Sequence, residues 1–382
     1  LASFGHMYEI LQNPVYAGLN ELSAFDASRQ MLWKNRMEYH TIDVSNEESY
    51  SLLGEMFDDY LPNFSSEWFN ICCDETWYTG MDRNKARAER EGKGNLYLGH
   101  VLRLYEMVKN RGKKVMMWGD ILVKFPELLS RLPRDIVLLN WEYGSAVSDR
   151  QSALFGSNPN VWYNCPGVWG WSKLINTFES GSANIRRMVD YGKRYGAQGI
   201  LNTDWGDYGH INPLAGSFPG MVLGAALSWN AASPDDQNFE RMVSVLELSD
   251  PSGKAAGLIR ELGGMHTRWR IMMEGMDSPQ AVSYPEKTIS EFCRRIPEIE
   301  RELAGIREKV PAGRRIDYDE FLWSAKAIAL NCRLTLLAKR KAQKKLGPSN
   351  AGELKEFARD MRALAAGLAQ IWRIRNKESE LF

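Results

Sequence analysis

Cysteine is scarce and irregular in this chain of 382 residues. Its five copies, Cys72, Cys73, Cys165, Cys293 and Cys332, are odd in number and lack CxxC spacing, which fits neither a disulfide framework nor a zinc site and leaves reduced thiols. Net charge is missing as well: Lys+Arg and Asp+Glu both total 48, so no overall field draws the protein to nucleic acid or to an anionic membrane. No run approaches the roughly 20 apolar residues of a membrane helix. The opening LASFGHMYEIL lacks a basic stretch followed by an apolar one, so the chain shows no address and a cytoplasmic location is expected. There is no HExxH, no pair of histidines at ligand spacing, and no GxGxxG or Walker loop after a strand. No metal and no cofactor are therefore expected.

What is present is a globular composition, 44% hydrophobic and 25% charged, which excludes disorder as the main state. The length suits one large domain with an appendage, or two domains. Tryptophan and tyrosine are abundant, at 13 and 15. Such rings fill cores, but they also stack on the C–H faces of sugars, so the excess admits both readings.

From residue 69 to 203, short apolar runs alternate with longer amphipathic stretches, the rhythm of repeated βα units. The runs are Trp68–Cys73, Lys114–Trp118, Ile136–Trp141, Val161–Cys165 and Gly199–Thr203. NLYLGHVLRLYEMVKNRG, before the second run, has helical period and Gly112 placed to stop it; SANIRRMVDYGKRYGAQ, before the fifth, offers Ser182 or Asn184 as a cap and Gly196 as a stop. Continuous apolar strands predict a parallel sheet covered by helices. Beyond about residue 233 the texture becomes charged and helical, over Lys287–Lys309, Tyr318–Leu346 and Ala351–Arg375, which predicts a bundle of three or more helices. Its basic run KRKAQKK, Lys339 to Lys345, reads as the solvated end of a helix rather than an anion site.

Chemistry in such sheets gathers at the C-terminal ends of the strands. Asp74-Glu75, Gly119-Asp120, Glu142-Tyr143, Pro166-Gly167 and Asp204-Trp205-Gly206-Asp207 follow the five runs in turn. Caps and turns account for any one of these clusters; the joint recurrence of tryptophan and carboxylate favours a site. Neighbouring carboxylates on one strand end cannot easily take the two flanking positions of an ordinary glycosidase, about 5 to 5.5 Å apart or wider. They suit a different division of labour. One protonates the leaving oxygen while the other holds a group of the substrate that itself attacks.

The ordered set FGHM, ICCDE, MMWGDIL, NWEYG, WYNCPG and TDWGDYG resembles the catalytic barrel of glycoside hydrolase family 20, the β-N-acetylhexosaminidases, over about residues 1–232. IWRIRNKESEL near the end is similar to the bacterial branch with a helical C-terminal domain. The resemblance implies an α/β fold, a (β/α)8 TIM-type barrel over 1–232 followed by an α-helical domain over 233–382. It implies a retaining exo-β-N-acetylhexosaminidase acting on glycans with terminal β-linked N-acetylglucosamine or N-acetylgalactosamine. Glu75 would be the general acid/base, and Asp74 would hold the 2-acetamido N–H while its carbonyl oxygen attacks the anomeric carbon. Tyr143 or Tyr163 would donate to that oxygen, with Tyr143 preferred. Trp118, Trp141 and Trp205 would wall the sugar, Asp207 would bind its far hydroxyls, and His6 would stand beside the carboxylate pair. A galactosaminide-specific hydrolase and a non-catalytic amino-sugar-binding protein on the same fold are the alternatives.

The chain departs from the family pattern in three places. Cys72 and Cys73 replace the usual glycines before the carboxylate pair, and Tyr163-Asn164-Cys165 lacks the acidic partner of a Tyr-x-Asp. LASFGHM matches the tail of the third barrel strand, so the first two strands and most of the third have no counterpart, and the chain is expected to be a fragment or to be completed by a partner. A homodimer through the C-terminal helices is also expected.

Overall fold

A computed structural model describes residues 1–24, 40–229, 235–265, 268 and 270–378. The chain divides into two compact units, 1–166 with 187–201 and 167–186 with 202–382. The boundary expected between residues 232 and 233 lies outside the described residues.

The first unit is built on a five-stranded parallel sheet in sequential order: β1 (Trp68–Asn70), β2 (Lys114–Trp118), β3 (Val137–Trp141), β4 (Trp162–Cys165) and β5 (Gly199–Ile200). Every strand falls on an expected run; β2 matches its run, β3 and β4 each start one residue later, and β1 and β5 each end three residues earlier. The helix Lys93–Lys109 crosses from β1 to β2 and stops as its sequence predicts: Gly112 turns left-handed at φ 74°, and the Lys113 N–H donates to the Val108 carbonyl at 3.3 Å. The helix Phe178–Tyr195 begins before the expected caps, and its C-terminal Gly196 is left-handed at φ 78°.

Register and the strand period of two divide the sheet's faces. Phe69, Ile71, Val115, Met117, Leu138 and Trp162 join the hydrophobic core with Leu53 and Phe57 of the helix Glu47–Tyr60 and with Leu96, Val101 and Leu104 of Lys93–Lys109. Asn140 and Asn164 also point to the helix side, where Asn164 bonds Asn140, Ser152 and the Met188 carbonyl. The opposite face therefore carries Trp118, Leu139, Trp141, Tyr163 and Cys165, aligned by the pairs Trp118↔Leu139, Leu139↔Tyr163 and Trp141↔Cys165.

The second unit holds Trp205, Asp207 and the helical region. Its longest helices, Glu286–Arg307, Arg315–Ala342 and Ala351–Arg375, match the three expected segments within a few residues. By length and composition Ala312–Ala342 could cross a membrane, but 72% of its apolar window is packed inside the protein. The basic run holds the unit together locally. Lys339 donates to the carbonyls of Val282 and Tyr284, Arg340 pairs with Glu353, and Lys341 with Asp277.

Candidate active site

The carboxylate pair sits where β1 gives way to irregular backbone. Asn70 Oδ1 accepts the Cys72 N–H at 2.8 Å, and Cys72 and Cys73 then turn left-handed at φ 59° and 65°, followed by Glu75 at 50°. Side chains rarely adopt this conformation, and its cost of about 1–2 kcal/mol per residue explains why glycine suits the positions that cysteine fills here. The bend is pinned from both sides: the Trp118 N–H donates to the Cys72 carbonyl at 3.0 Å, and the Tyr97 hydroxyl to the Cys73 carbonyl at 3.1 Å.

The N-terminal segment supplies the third group. Ser3 Oγ donates to the Ile71 carbonyl at 2.6 Å, and the buried His100 meets the Ser3 carbonyl at 2.9 Å. Gly5 then passes so close that a Cβ there would lie 2.6 Å from the Asp74 carbonyl oxygen. This approach brings His6 Nε2 to 3.3 Å from Asp74 Oδ2 and 3.2 Å from Glu75 Oε2. Burial opposes charge on the imidazole, but hydrogen bonds to Asp74 and Glu75 and their charges outweigh it and raise its pKa to about 10. His6 is thus held as an imidazolium between the two carboxyl groups. The ligand atoms of His6, Asp74 and Glu75 lie within 4.8 Å of one another, a spacing open to a metal ion. Protonated at Nε2, the imidazole makes the same set an ion-paired triad, whereas a metal would need it neutral.

Asp120, first residue of the turn after β2, accepts the Glu75 N–H through Oδ2 at 3.1 Å. Its Oδ1 is buried and has no hydrogen-bond partner among the described residues. Burial, reinforced by the charges of Asp74 and Glu75, pushes its pKa to about 7 against the pull of the Glu75 N–H and Lys124. At the end of β3, Trp141 stacks on Tyr143 with centroids 5.1 Å apart and planes at 22°. Trp141 Nε1 is buried without a hydrogen-bond partner among the described residues, and burial raises Glu142 to about 7.

The structure gathers His6, Asp74 and Glu75 in direct contact and puts Trp118, Trp141 and Tyr163 on one face of the sheet. Tyr143 lies two residues beyond β3, whereas Tyr163 is the second residue of β4 and its ring covers Gly199 of β5 at 3.1 Å from a Cβ built there. Cys165, in the place of the expected acidic partner, is fully buried. Trp205 and Asp207 belong to the second unit, where Asp207 opens a short helix, Asp207–His210. Sequence reasoning assigned no role to Asp120 or Glu142, although both stood in strand-end clusters. It missed Ser3 and Gly5 because their partners are backbone atoms about 70 residues away.

Residues 5–243 match the catalytic domain of glycosyl hydrolase family 20. The chain is 26% identical to Hexosaminidase D of Homo sapiens over 283 residues, covering 67% of this chain and 56% of that protein. It is 23% identical over 141 residues to Beta-hexosaminidase 1 of Coccidioides posadasii, covering 34% of this chain and 24% of that one. The chain thus spans about half the length of the human relative and less of the fungal one. A β-N-acetylhexosaminidase structure from Bacteroides fragilis aligns at a TM-score of 0.46 and 15% identity, over 66% of this chain and 52% of its own.

Proposed function

This chain belongs to glycosyl hydrolase family 20, and from that premise we propose that it is a retaining exo-β-N-acetylhexosaminidase using substrate-assisted catalysis. Its substrates are glycans ending in β-linked N-acetylglucosamine or N-acetylgalactosamine. The observation that carries the reading is the contact of His6 with both Asp74 and Glu75 at the C-terminal exit of a parallel strand. In this reading β1–β5 belong to a (β/α)8 barrel, whose catalytic groups stand at that end of the strands.

In the substrate complex Asp74 is the carboxylate paired with His6⁺ and Glu75 is protonated; Glu75 gives that proton to the leaving glycosidic oxygen while the acetamido carbonyl oxygen of the substrate attacks the anomeric carbon from the other face. Asp74 accepts the acetamido N–H, directing the carbonyl and balancing the charge that grows on nitrogen. Tyr143 donates its hydroxyl to the acetamido oxygen, and its place beyond β3 supports it over Tyr163. The bond to the leaving group breaks as the ring-fused oxazolinium forms. Water then adds to the anomeric carbon and surrenders a proton to Glu75, so two inversions restore the original configuration. His6⁺ orients both carboxyl groups, and Trp118 and Trp141 wall the sugar.

Initial rates on matched aryl β-glycosides of N-acetylglucosamine, N-acetylgalactosamine and glucose test the reading. Cleavage of acetamido sugars but not of glucose is expected, with at least about a hundredfold loss in Glu75→Gln, the usual scale for a general acid. Asp74→Asn is expected to weaken both turnover and the binding of a thiazoline analogue. Equal activity of wild type and Glu75→Gln would overturn the proposal.

A further inference from the structure

Immediately after the carboxylate pair the chain exposes a large aromatic surface. Trp77 is 40% exposed, and its backbone N–H donates to the Glu75 carbonyl at 2.8 Å, a tight turn directly after the general acid. Lys124 Nζ sits 3.1 Å from the centroid of the Trp77 ring. The cation comes from the turn that begins with Asp120, and its charge is felt by both Asp120 and Glu75. It is therefore near the acid as well as on the ring.

A second exposed tryptophan in the first unit shows what a structural stack looks like. Trp68, also 40% exposed, opens β1 at the far end of the strand and carries Lys114 at 5.2 Å. Lys114 is paired with Glu67 at 2.7 Å, so its charge is spent locally. Lys124 makes no ion pair among the described residues. A cation held over an indole, near Asp120 and Glu75 but in ion-pair contact with no carboxylate among the described residues, is placed to meet charge on the departing half of a substrate.

We propose that Trp77 and Lys124 form a subsite for the leaving sugar that favours an anionic one, bearing a carboxylate or a sulfate ester. The inference rests on the proposed role of Glu75, since the leaving group lies on the side of the acid. The indole supplies a stacking platform and the ammonium supplies the charge selection; both act on the departing residue and neither on the N-acetylhexosamine itself.

The test compares kcat/KM for three disaccharides with N-acetylglucosamine β-(1→4)-linked to glucuronic acid, to glucose 6-sulfate and to glucose. The wild type should prefer at least one anionic partner over glucose by about fivefold at low salt, the scale of one favourable surface charge contact, and less in 0.5 M salt. Lys124→Met should bring that ratio to about one and Lys124→Arg should keep it. Trp77→Ala should lower rates on all three disaccharides more than on the methyl glycoside of N-acetylglucosamine. Because each readout is a ratio within one protein, partial misfolding leaves it intact. A ratio near one in the wild type, or one unchanged in Lys124→Met, overturns the subsite. If no glycoside is cleaved, it is the catalytic reading that fails. The affinities of the sulfur-linked, uncleavable disaccharides then decide the subsite by the same ratios.

Discussion

At the scale of single residues, the site is governed by two groups whose protonation the fold displaces in opposite senses of charge. His6 titrates near 6.5 when unfolded and near 10 in place, so its ion pairs contribute fully below about 6.5 and are lost as pH rises through about 10. The stability advantage of the wild type over His6→Gln should therefore shrink across that window, measured by urea unfolding at successive pH values. An advantage independent of pH would mean that His6 acts by packing alone. Asp120 is a carboxyl that the native state holds protonated up to about 7, against 3.8 when free. The folded chain then binds the extra proton between those values, and stability falls as pH rises through them. Asp120→Asn keeps an oxygen for the Glu75 N–H without the buried charge, so it should match or exceed the wild type at pH 8. Asp120→Ala abandons that N–H and should cost about 1–3 kcal/mol. If Asn proves as costly as Ala, the charge itself is needed.

Among the elements, what the sequence made legible was whatever depends on local pattern. Val137–Trp141 and Trp162–Cys165 were readable because strands buried on both faces are continuous apolar runs, and the stops at Gly112 and Gly196 because left-handed backbone calls for glycine. The end of β1 was hidden for the converse reason. Cys72 and Cys73 adopt the left-handed conformation without the residue that announces it, so the strand looked three residues longer than it is. Asp74 and Glu75 were legible as a pair, but their grip on His6 depends on the approach of Gly5, which no periodicity reports. Gly5→Ala tests that approach. Its Cβ would stand 2.6 Å from the rigid Asp74 carbonyl, so the two segments must part. The change should cost about 1–3 kcal/mol and most of the turnover. Gly18→Ala, where a Cβ meets nothing within 4 Å, is the matched control and should be nearly neutral in melting temperature and kcat. Equal behaviour of the two variants would show that the N-terminal segment has room to give.

Over the whole molecule, charges cancel in the sum, 48 against 48, and some of them join segments distant in sequence, as a cluster in the second unit shows. Arg375, the last residue of the helix Ala351–Arg375, reaches back to Asp317 and Glu320, whose side chains are 0% and 4% exposed. Glu320 Oε2 bonds Arg375 Nη1 at 3.1 Å and also accepts the Ala215 N–H at 2.7 Å, so one guanidinium ties the end of the chain to segments 55 and 160 residues away. The sequence showed these helices as charge-laden without showing which charges would be buried, because helical period identifies a face and not its partner. Removing Arg375 leaves Asp317 only Arg314, at 3.3 Å, and strips the buried Glu320 of the arginine that faces it. Arg375→Met should therefore destabilise by about 3–5 kcal/mol, more than an exposed ion pair could lose. Neutralising the acceptors as well, in Arg375→Met with Asp317→Asn and Glu320→Gln, should recover much of that loss, since the amides can still accept the Ala215 N–H and carry no charge. Urea unfolding of the three proteins decides the matter. A loss under about 1 kcal/mol in Arg375→Met, within the range of surface pairs, would show that solvent reaches Asp317 and Glu320 once the arginine is gone.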